Sequence, residues 1–192
     1  PYHRNGLKFF TPQGGLDSPD ITEILSLAQE GAHPAGEASG TVEPYSYRKD
    51  YAARLRKTIQ EGVQAQDYDH PLAGFHIVVD AGNGAGGFYA TEVLEPLGAD
   101  VSGSQFLEPD GMFPNHVPNP ENQEAMASIC HAVQAAGADL GVIFDTDVDR
   151  GAAVDSLGEG VSRNRLGALA SAIALECHPA GTNATAHLPP AG

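Results

Sequence analysis

The spacing of apolar residues predicts two helices in the first third of the chain. Ser18 followed by Pro19 predicts that the first helix has Ser18 as its N-cap and runs to Glu30. Its apolar positions at helical spacing are Ile21, Ile24, Leu25 and Ala28. The second helix is predicted from a stripe repeating every four residues: Tyr47, Tyr51, Leu55 and Ile59. The segment 31–44 between them is rich in Gly, Pro and Ala, which predicts a loop or linker.

From Phe75 onward, short apolar runs alternate with helix-length segments. The strand candidates in chain order are 75–80, 99–104, 140–144 and 151–155. The helix candidates are 88–97, 121–136 and 163–176, and Gly98 and Gly137 follow the first two where a C-terminal cap is expected. Strands separated by helices of this length are typical of βαβ units. The pattern therefore predicts an α/β fold of the three-layer type, in which helices flank a mixed, mainly parallel sheet.

Charge and cysteine content narrow the classes of function. Among 192 residues, 25 are Asp or Glu and 10 are Lys or Arg, which gives a formal charge of −15. This balance argues against nucleic acid and anionic membrane as partners, because both need concentrated basic surface. The sequence has no apolar run of 18 residues, so no membrane span is predicted. The two cysteines, Cys130 and Cys177, form no C-x-x-C pair, so neither a disulfide framework nor a Cys zinc site is indicated.

A glycine-rich turn follows the first predicted strand of the α/β region. Gly82, Gly84 and Gly87 fit the pattern G-x-G-x-x-G, and Asp100 lies 18 residues beyond Gly82. One hypothesis is a dinucleotide-binding turn, in which backbone N–H groups face a pyrophosphate. The favoured alternative is a tight strand-to-helix turn whose glycines serve positive φ angles and close packing.

Three aspartates alternate directly after the predicted strand 140–144. Asp145, Asp147 and Asp149 point the same way in an extended loop, so three negative charges converge in a small volume. A hard divalent cation removes this conflict, and Mg²⁺ binds oxygen ligands while keeping room for water and a substrate phosphate. The carboxyl end of a strand is also where open α/β sheets place their ligands. We expect a Mg²⁺ site here rather than an acidic surface turn.

Two other interpretations of the aspartate loop can be compared with its spacing. An EF-hand beginning at Asp145 needs Gly and Glu at its sixth and twelfth positions, but Arg150 and Ser156 stand there. The stretch Phe144–Asp147 also resembles haloacid-dehalogenase-type phosphatases, in which Asp145 is the nucleophile and Asp147 the acid–base. That family wants Thr or Val two residues after the second aspartate, where Asp149 stands. It remains the enzymatic alternative.

Three segments, in order along the chain, resemble the α-D-phosphohexomutases, the phosphoglucomutase and phosphomannomutase superfamily. The segment Tyr2–Phe9 is similar to the one that follows the family's phosphoserine loop. The segment Val78–Gly86 is similar to the first strand and turn of its second domain. The segment Asp145–Arg150 is similar to its metal loop, usually Asp-Gly-Asp-Gly-Asp-Arg, with Thr146 and Val148 in place of the glycines. We expect both replacements to face away from the metal and to leave binding intact.

The resemblance implies an enzyme that interconverts hexose 1-phosphates and hexose 6-phosphates through a phosphoserine. It implies that Asp145, Asp147 and Asp149 hold Mg²⁺ and that Arg150 stabilises the phosphate's charge. It also implies that Lys8 acts as a catalytic acid–base near the transferred proton. The implied partners are a hexose phosphate and the remaining domains of the same enzyme. The Asp-Thr-Asp-Val-Asp-Arg variant resembles plant and algal members, which implies a cytoplasmic or plastid location.

The resemblance also predicts how the chain divides into domains. Residues 1–44 are expected to be the end of domain one, 45–157 domain two with its metal loop, and 158–192 the start of domain three with a divergent tail. The family's phosphoserine is expected before Pro1, and the sugar-selecting loop and fourth domain have no counterpart. We therefore expect a fragment of a mutase that is inactive in isolation.

Overall fold

A computed structural model describes residues 6–31 and 40–177 of the chain. It divides the chain into two compact units, 1–46 and 47–192, which are described separately. The predicted domain boundaries of the mutase family stay a prediction. Tyr2 to Asn5, part of the first segment that carried the resemblance, lie outside the described residues, as do residues 32–39 and the tail after Cys177.

The first unit contains a short hairpin and one helix. Strands β1 (Phe10–Thr11) and β2 (Gly14–Gly15) pair antiparallel, and helix α1 (Ser18–Glu30) follows. The predicted helix is confirmed, but its predicted cap is wrong. Asp17, not Ser18, is the N-cap, because its carboxylate accepts the Asp20 N–H while Asp20 reciprocally accepts the Asp17 N–H.

The second unit is an α/β layer arrangement around a mixed sheet, as predicted. Helix α2 (Arg48–Val63) precedes strand β3 (Ile77–Asp80), and helix α3 (Gln123–Ala136) connects β3 to strand β4 (Leu140–Phe144). Strand β5 (Gly151–Asp155) follows, and helix α4 (Arg163–Cys177) is the last described element. In the described sheet the order is β3-β4-β5, with β3 and β4 parallel and β4 and β5 antiparallel.

Two predicted elements have a different form. The predicted helix 88–97 is a π-helical turn, Tyr89–Leu94, between two 3₁₀ turns, Ala85–Gly87 and Glu95–Leu97. The predicted strand 99–104 forms only isolated parallel bridges, at Asp100 and Gln105. A tight turn interrupts it, because the Ser104 N–H bonds to the Val101 carbonyl and Gly103 has φ +82°. The segment nevertheless lies beside β3 and forms hydrogen bonds along the edge of β3 that does not pair with β4.

The core of the second unit lies between α3 and the sheet. Val78, Ile129, Val133, Ile143 and Val154 are all fully buried there. Burying an aliphatic side chain of this size stabilises a fold by about 1.5–3 kcal/mol. Since β3 and β4 are both anchored in this core, their carboxyl ends are fixed relative to each other. None of the helices within the described residues is long and apolar enough to cross a membrane.

Candidate functional site

The carboxyl ends of β3 and β4 meet at one edge of the sheet. The parallel register pairs Asp80 with Ile143, so the loops after Asp80 and Phe144 leave the sheet side by side. The first is the glycine turn, residues 81–87. The second is the aspartate loop, residues 145–150, which leads directly into β5. The carboxyl ends of the strands are the edge at which open α/β sheets bind their ligands.

The aspartate loop brings its three carboxylates together. Asp145, Asp147 and Asp149 each offer an oxygen, and these atoms lie within 4.8 Å of one another. Asp145 is 1% exposed, whereas Asp147 and Asp149 face solvent. Among the described residues this is the one group of three His, Cys, Asp or Glu side chains spaced to hold a metal ion. The group is thus buried at Asp145 and open to solvent at Asp147 and Asp149.

Arg150 balances part of this negative charge. Its Nε donates to Asp145 Oδ2 at 2.9 Å, and its backbone N–H donates to Asp145 Oδ1 at 3.1 Å. Its Nε also lies 3.5 Å from Asp149 Oδ1. Burial raises the pKa of Asp145, but the hydrogen bond from the Arg150 N–H, the interaction with the Asp149 side chain and the Arg150 guanidinium together outweigh it, so this pKa lies below its usual value. Asp145 is therefore held as a carboxylate.

The donor set fits a hard divalent cation. Three carboxylates and one guanidinium carry a net charge of −3 + 1 = −2, which a divalent ion neutralises. Carboxylate oxygens are the ligands that Mg²⁺ prefers, and the solvent-facing side leaves room for the waters and phosphate oxygen it usually keeps. The side chains present are thus chemically suited to the ion that the sequence predicted.

The glycine turn packs against the back of the aspartate loop. The Ala85 N–H donates to the Thr146 carbonyl at 2.9 Å. A Cβ placed on Gly84 would lie 2.8 Å from that same carbonyl oxygen, and one on Gly86 would lie 2.9 Å from the Phe144 ring. A Cβ on Gly87 would overlap the Leu107 carbonyl. The glycines are therefore occupied in close packing within the chain, as the favoured interpretation expected.

The dinucleotide alternative gains no support from these contacts. The glycine backbone faces this chain's own loops, and the Asp100 carboxylate accepts the Ser102 N–H at 2.9 Å. That hydrogen bond lowers the pKa of Asp100. An acid in this local turn has one of its oxygens engaged by the neighbouring backbone rather than presented to a ribose.

Val148 has the backbone conformation of a glycine. Its φ of +65° lies in the left-handed region, which β-branched residues rarely adopt. Its side chain is half-buried, and its Cγ2 would lie 3.3 Å from a Cβ on Gly86. Thr146, the other residue in place of a family glycine, is exposed. The backbone strain at Val148 was not predicted from the sequence, because the expectation concerned only the direction of the side chains.

A buried His–Asp pair lies beneath the glycine turn, and sequence reasoning missed it. His116 Nε2 lies 3.0 Å from each oxygen of Asp80, and Asp80 is fully buried. Asp80 Oδ1 also accepts the Gly82 N–H at 2.9 Å, and Oδ2 accepts the Gln105 amide at 2.8 Å. A signal was present, because Asp80 ends an apolar strand run where a buried carboxylate needs a partner. The sequence alone could not identify His116 as that partner. His116 lies in the segment 105–120, which contains four prolines and has no helix or strand pattern that would place it near Asp80.

The two predicted catalytic residues lie in different units. Lys8 is exposed, in the irregular stretch before β1 of the first unit. Arg150 belongs to the second unit, where it also approaches Asn119 Oδ1 at 3.4 Å. Beside Arg150 is a cavity of about 290 Å³, whose lining is Pro120, Glu121, Asp149, Arg150, Gly151 and Arg163. The catalytic roles of Lys8 and Arg150 stay predictions.

Comparison with known proteins gives a consistent result. Residues 49–158 match the model of the family described as phosphoglucomutase/phosphomannomutase, alpha/beta/alpha domain II. A phosphoglucomutase of Neisseria gonorrhoeae is 31% identical over 150 residues, which are 78% of this chain and 30% of that protein. A phosphoglucosamine mutase of Listeria monocytogenes is 34% identical over 172 residues, which are 86% of this chain and 35% of that protein.

A solved structure supports the fold. A phosphoglucomutase/phosphomannomutase family protein from Burkholderia thailandensis superposes with a TM-score of 0.70 at 23% identity, covering 89% of this chain and 41% of that one. The chain spans about a third of the length of the two curated relatives above.

Proposed function

The chain belongs to the phosphoglucomutase/phosphomannomutase family, and from that premise we propose that it carries the Mg²⁺ site of a phosphohexomutase. The observation that carries the proposal is the convergence of three carboxylates within 4.8 Å at the carboxyl end of β4. The relatives are named for the interconversion of phosphorylated hexoses or hexosamines. The proposed activity is therefore an intramolecular phosphotransfer between C1 and C6 of a hexose phosphate.

In this proposal Asp145, Asp147 and Asp149 hold the ion. Asp145 is the fixed ligand, because its buried carboxylate is already oriented by Arg150. Asp147 and Asp149 are exposed and complete the ligand set from the solvent side. When bound, Mg²⁺ supplies positive charge that stabilises the transferring phosphoryl group.

Arg150 has a second proposed role beside the ligands. Its Nε donates to Asp145, and Arg150 also lines the 290 Å³ cavity. A guanidinium offers several N–H donors in a planar fork that suits phosphate oxygens. We infer that Arg150 orients Asp145 with one side of the fork and binds a phosphate oxygen with the other. Lys8 is proposed as the acid–base that handles the sugar hydroxyl proton.

We propose that these residues are one part of a larger catalytic site. The chain spans about a third of its curated relatives, so the phosphoserine and most sugar contacts are expected from other parts of the enzyme. The 192 residues alone should then show no mutase turnover. A coupled assay converting glucose 1-phosphate to glucose 6-phosphate tests this, and turnover by the chain alone would refute it.

Metal binding by the chain is the direct test of the proposed site. Calorimetric titration with Mg²⁺, or Mn²⁺ as a spectroscopic substitute, should give one site per chain. Asp147→Asn should weaken binding at least about tenfold, as loss of a charged ligand does. Asp139→Asn, an acidic residue outside the loop, is the control and should bind as the unmodified chain does. Equal affinity of Asp147→Asn and the control would reject the site.

A beryllium fluoride titration tests the enzymatic alternative in the same preparation. The haloacid-dehalogenase interpretation expects an aspartyl-phosphate mimic on Asp145. Our proposal expects none, because in it Asp145 is a metal ligand and the phosphoryl group is carried by a serine in another part of the enzyme. Trapping that disappears in Asp145→Asn would favour the phosphatase over the mutase.

A further inference from the structure

Among the described residues of the second unit, His116 and Asp80 form a buried polar pair that the proposed chemistry does not use. His116 is 8% exposed and Asp80 0%. His116 Nδ1 lies 3.0 Å from the Val117 carbonyl, while Nε2 faces both Asp80 oxygens. Both ring nitrogens thus lie within hydrogen-bonding distance of oxygen atoms. Burying a carboxylate and an imidazole is costly unless their hydrogen bonds are made within the protein.

One route leads from this pair to the aspartate loop through the glycine turn. Asp80 Oδ1 accepts the Gly82 N–H and so fixes the first glycine of the turn. The Gly84 N–H closes the turn onto the Ala81 carbonyl at 2.7 Å, and the next N–H, of Ala85, donates to Thr146. Thr146 lies between two of the proposed metal ligands. The route crosses three short hydrogen bonds and contains no long flexible side chain.

A second route leads through the loop that carries His116. Asn83, at the top of the turn, accepts the Asn115 amide at 2.7 Å and donates to the Glu108 carbonyl at 2.9 Å. Three residues after His116, Asn119 presents Oδ1 to the Arg150 guanidinium. Anchoring His116 therefore also helps to place Asn119, whose Oδ1 accepts from the Arg150 guanidinium.

We propose that His116 and Asp80 are positioning residues for the metal loop: their buried pair clamps the glycine turn and the 105–120 loop together, and both in turn orient Asp145, Asp147 and Asp149. The proposal rests on the proposed function for the identity of the ligand. Outer partners that orient metal ligands are worth about 10–100-fold in metal affinity when removed. Because the pair acts through intervening backbone, we expect an effect at the lower end of that range.

The exposed pair of His70 and Asp67 is a matched control. His70 Nδ1 lies 3.2 Å from Asp67 Oδ2, and both side chains are more than half exposed. It has the same chemistry as the buried pair, but nothing connects it by hydrogen bonds to the aspartate loop in the described residues. A general effect of losing a histidine would appear in both pairs, whereas a positioning effect would appear only at His116.

The test compares His116→Gln with His70→Gln in the full 192-residue chain. Amide hydrogen exchange, followed by NMR without metal, should be about tenfold faster at Ala85 and Arg150 in His116→Gln and unchanged in His70→Gln. Mn²⁺ affinity, followed by electron paramagnetic resonance, should fall about tenfold in His116→Gln alone. The proposal would be overturned if the His116→Gln variant folds and its Ala85 and Arg150 amides exchange at the same rates as in the unmodified chain.

A further measurement needs no substitution. Because coupling between two sites is reciprocal, Mg²⁺ added to the unmodified chain should slow exchange of the Gly82 amide, which is bonded to Asp80. Metal binding without any change at Gly82 would contradict the coupling. Failure of the chain to bind metal would instead reject the proposed function, and the metal-free exchange comparison would still decide the role of His116.

Discussion

Two aspartates lie at the carboxyl ends of neighbouring strands of the same sheet, and their surroundings differ. Asp80 ends β3 and Asp145 comes directly after β4. Both are buried, and each is paired with a nitrogen-bearing side chain, His116 for Asp80 and Arg150 for Asp145. Asp80 is enclosed by His116, Gln105 and the Gly82 N–H. Asp145 is followed by two exposed carboxylates and an arginine that is half-exposed. The same residue at the same end of a strand is thus structural in one case and proposed to bind a ligand in the other.

The difference arises from the residues on the carboxyl side of each aspartate. After Asp80 come small residues that let the backbone pack closely, so the 105–120 loop covers the carboxylate. After Asp145 come alternating carboxylates, which repel one another and stay at the surface. A buried carboxylate on its own therefore does not mark a ligand site. Its neighbours make the difference, because only Asp145 has further carboxylates beside it that are exposed to solvent.

Removal of the enclosed carboxylate should have the largest effect on stability. Asp80→Ala leaves the His116 ring, the Gln105 amide and the Gly82 N–H without their acceptor in a buried site. Breaking a buried pair in this way costs about 3–5 kcal/mol. Urea denaturation followed by circular dichroism measures the change. Asp67→Ala, in the exposed pair, should change the unfolding free energy much less, and equal losses would contradict the distinction between the two environments.

The contact between the two strand-end loops can be tested at Gly84. Gly84→Ala places a Cβ 2.8 Å from the Thr146 carbonyl oxygen and 3.0 Å from its Cα. Both neighbours are backbone atoms, so the loops must separate, at a cost of about 1–3 kcal/mol. Gly111→Ala meets no atom within 4 Å and should stay within about 0.5 kcal/mol of the unmodified chain. Equal unfolding midpoints for the two variants would show that the loops are not in contact.

Substitutions at the strained residue Val148 should change the unfolding free energy by a smaller amount, in a direction that the strain predicts. Asn83 and Val148 both have positive φ, at 59° and 65°, but only asparagine tolerates this conformation readily. At position 148 the glycine variant should be more stable than the alanine variant by about 1 kcal/mol, because only glycine avoids the left-handed penalty. Comparing Val148→Gly with Val148→Ala cancels the shared loss of the valine side chain. A more stable alanine variant would refute the strain.

Asp145 should make the unfolding free energy depend on pH only in the acid range. Its pKa is lower in the folded chain than the usual 3.8, so its stabilising contribution is present in full above the unfolded value. The contribution is lost as pH falls through the folded pKa. Asp145→Asn should therefore flatten the acid limb of the stability curve measured in urea between pH 2 and 6. An unchanged acid limb would mean that Arg150 does not hold this carboxylate ionised.

The sequence predicted those features of the fold that depend on local periodicity. The strands 140–144 and 151–155 have the predicted bounds, and the aspartate loop directly follows the first of them as expected. Helix α1 ends at Glu30 as predicted but begins one residue earlier, because Asp17 and not Ser18 is its N-cap. Features that depend on distant partners were missed. The pairing of His116 with Asp80 joins residues 36 positions apart, and the strain at Val148 arises from how the β4–β5 connection closes. Neither has a signature in a local pattern.

The most direct test of the central claim is the position of a bound divalent ion. Crystals of the 192-residue chain soaked in Mn²⁺ should show one anomalous difference peak among the carboxylates of Asp145, Asp147 and Asp149. Metal–oxygen distances near the Mg²⁺ value of about 2.1 Å are expected for an ion of this kind. The peak should be absent in Asp147→Asn under the same conditions. A peak elsewhere on the chain, or none at the aspartate loop at saturating Mn²⁺, would contradict the claim.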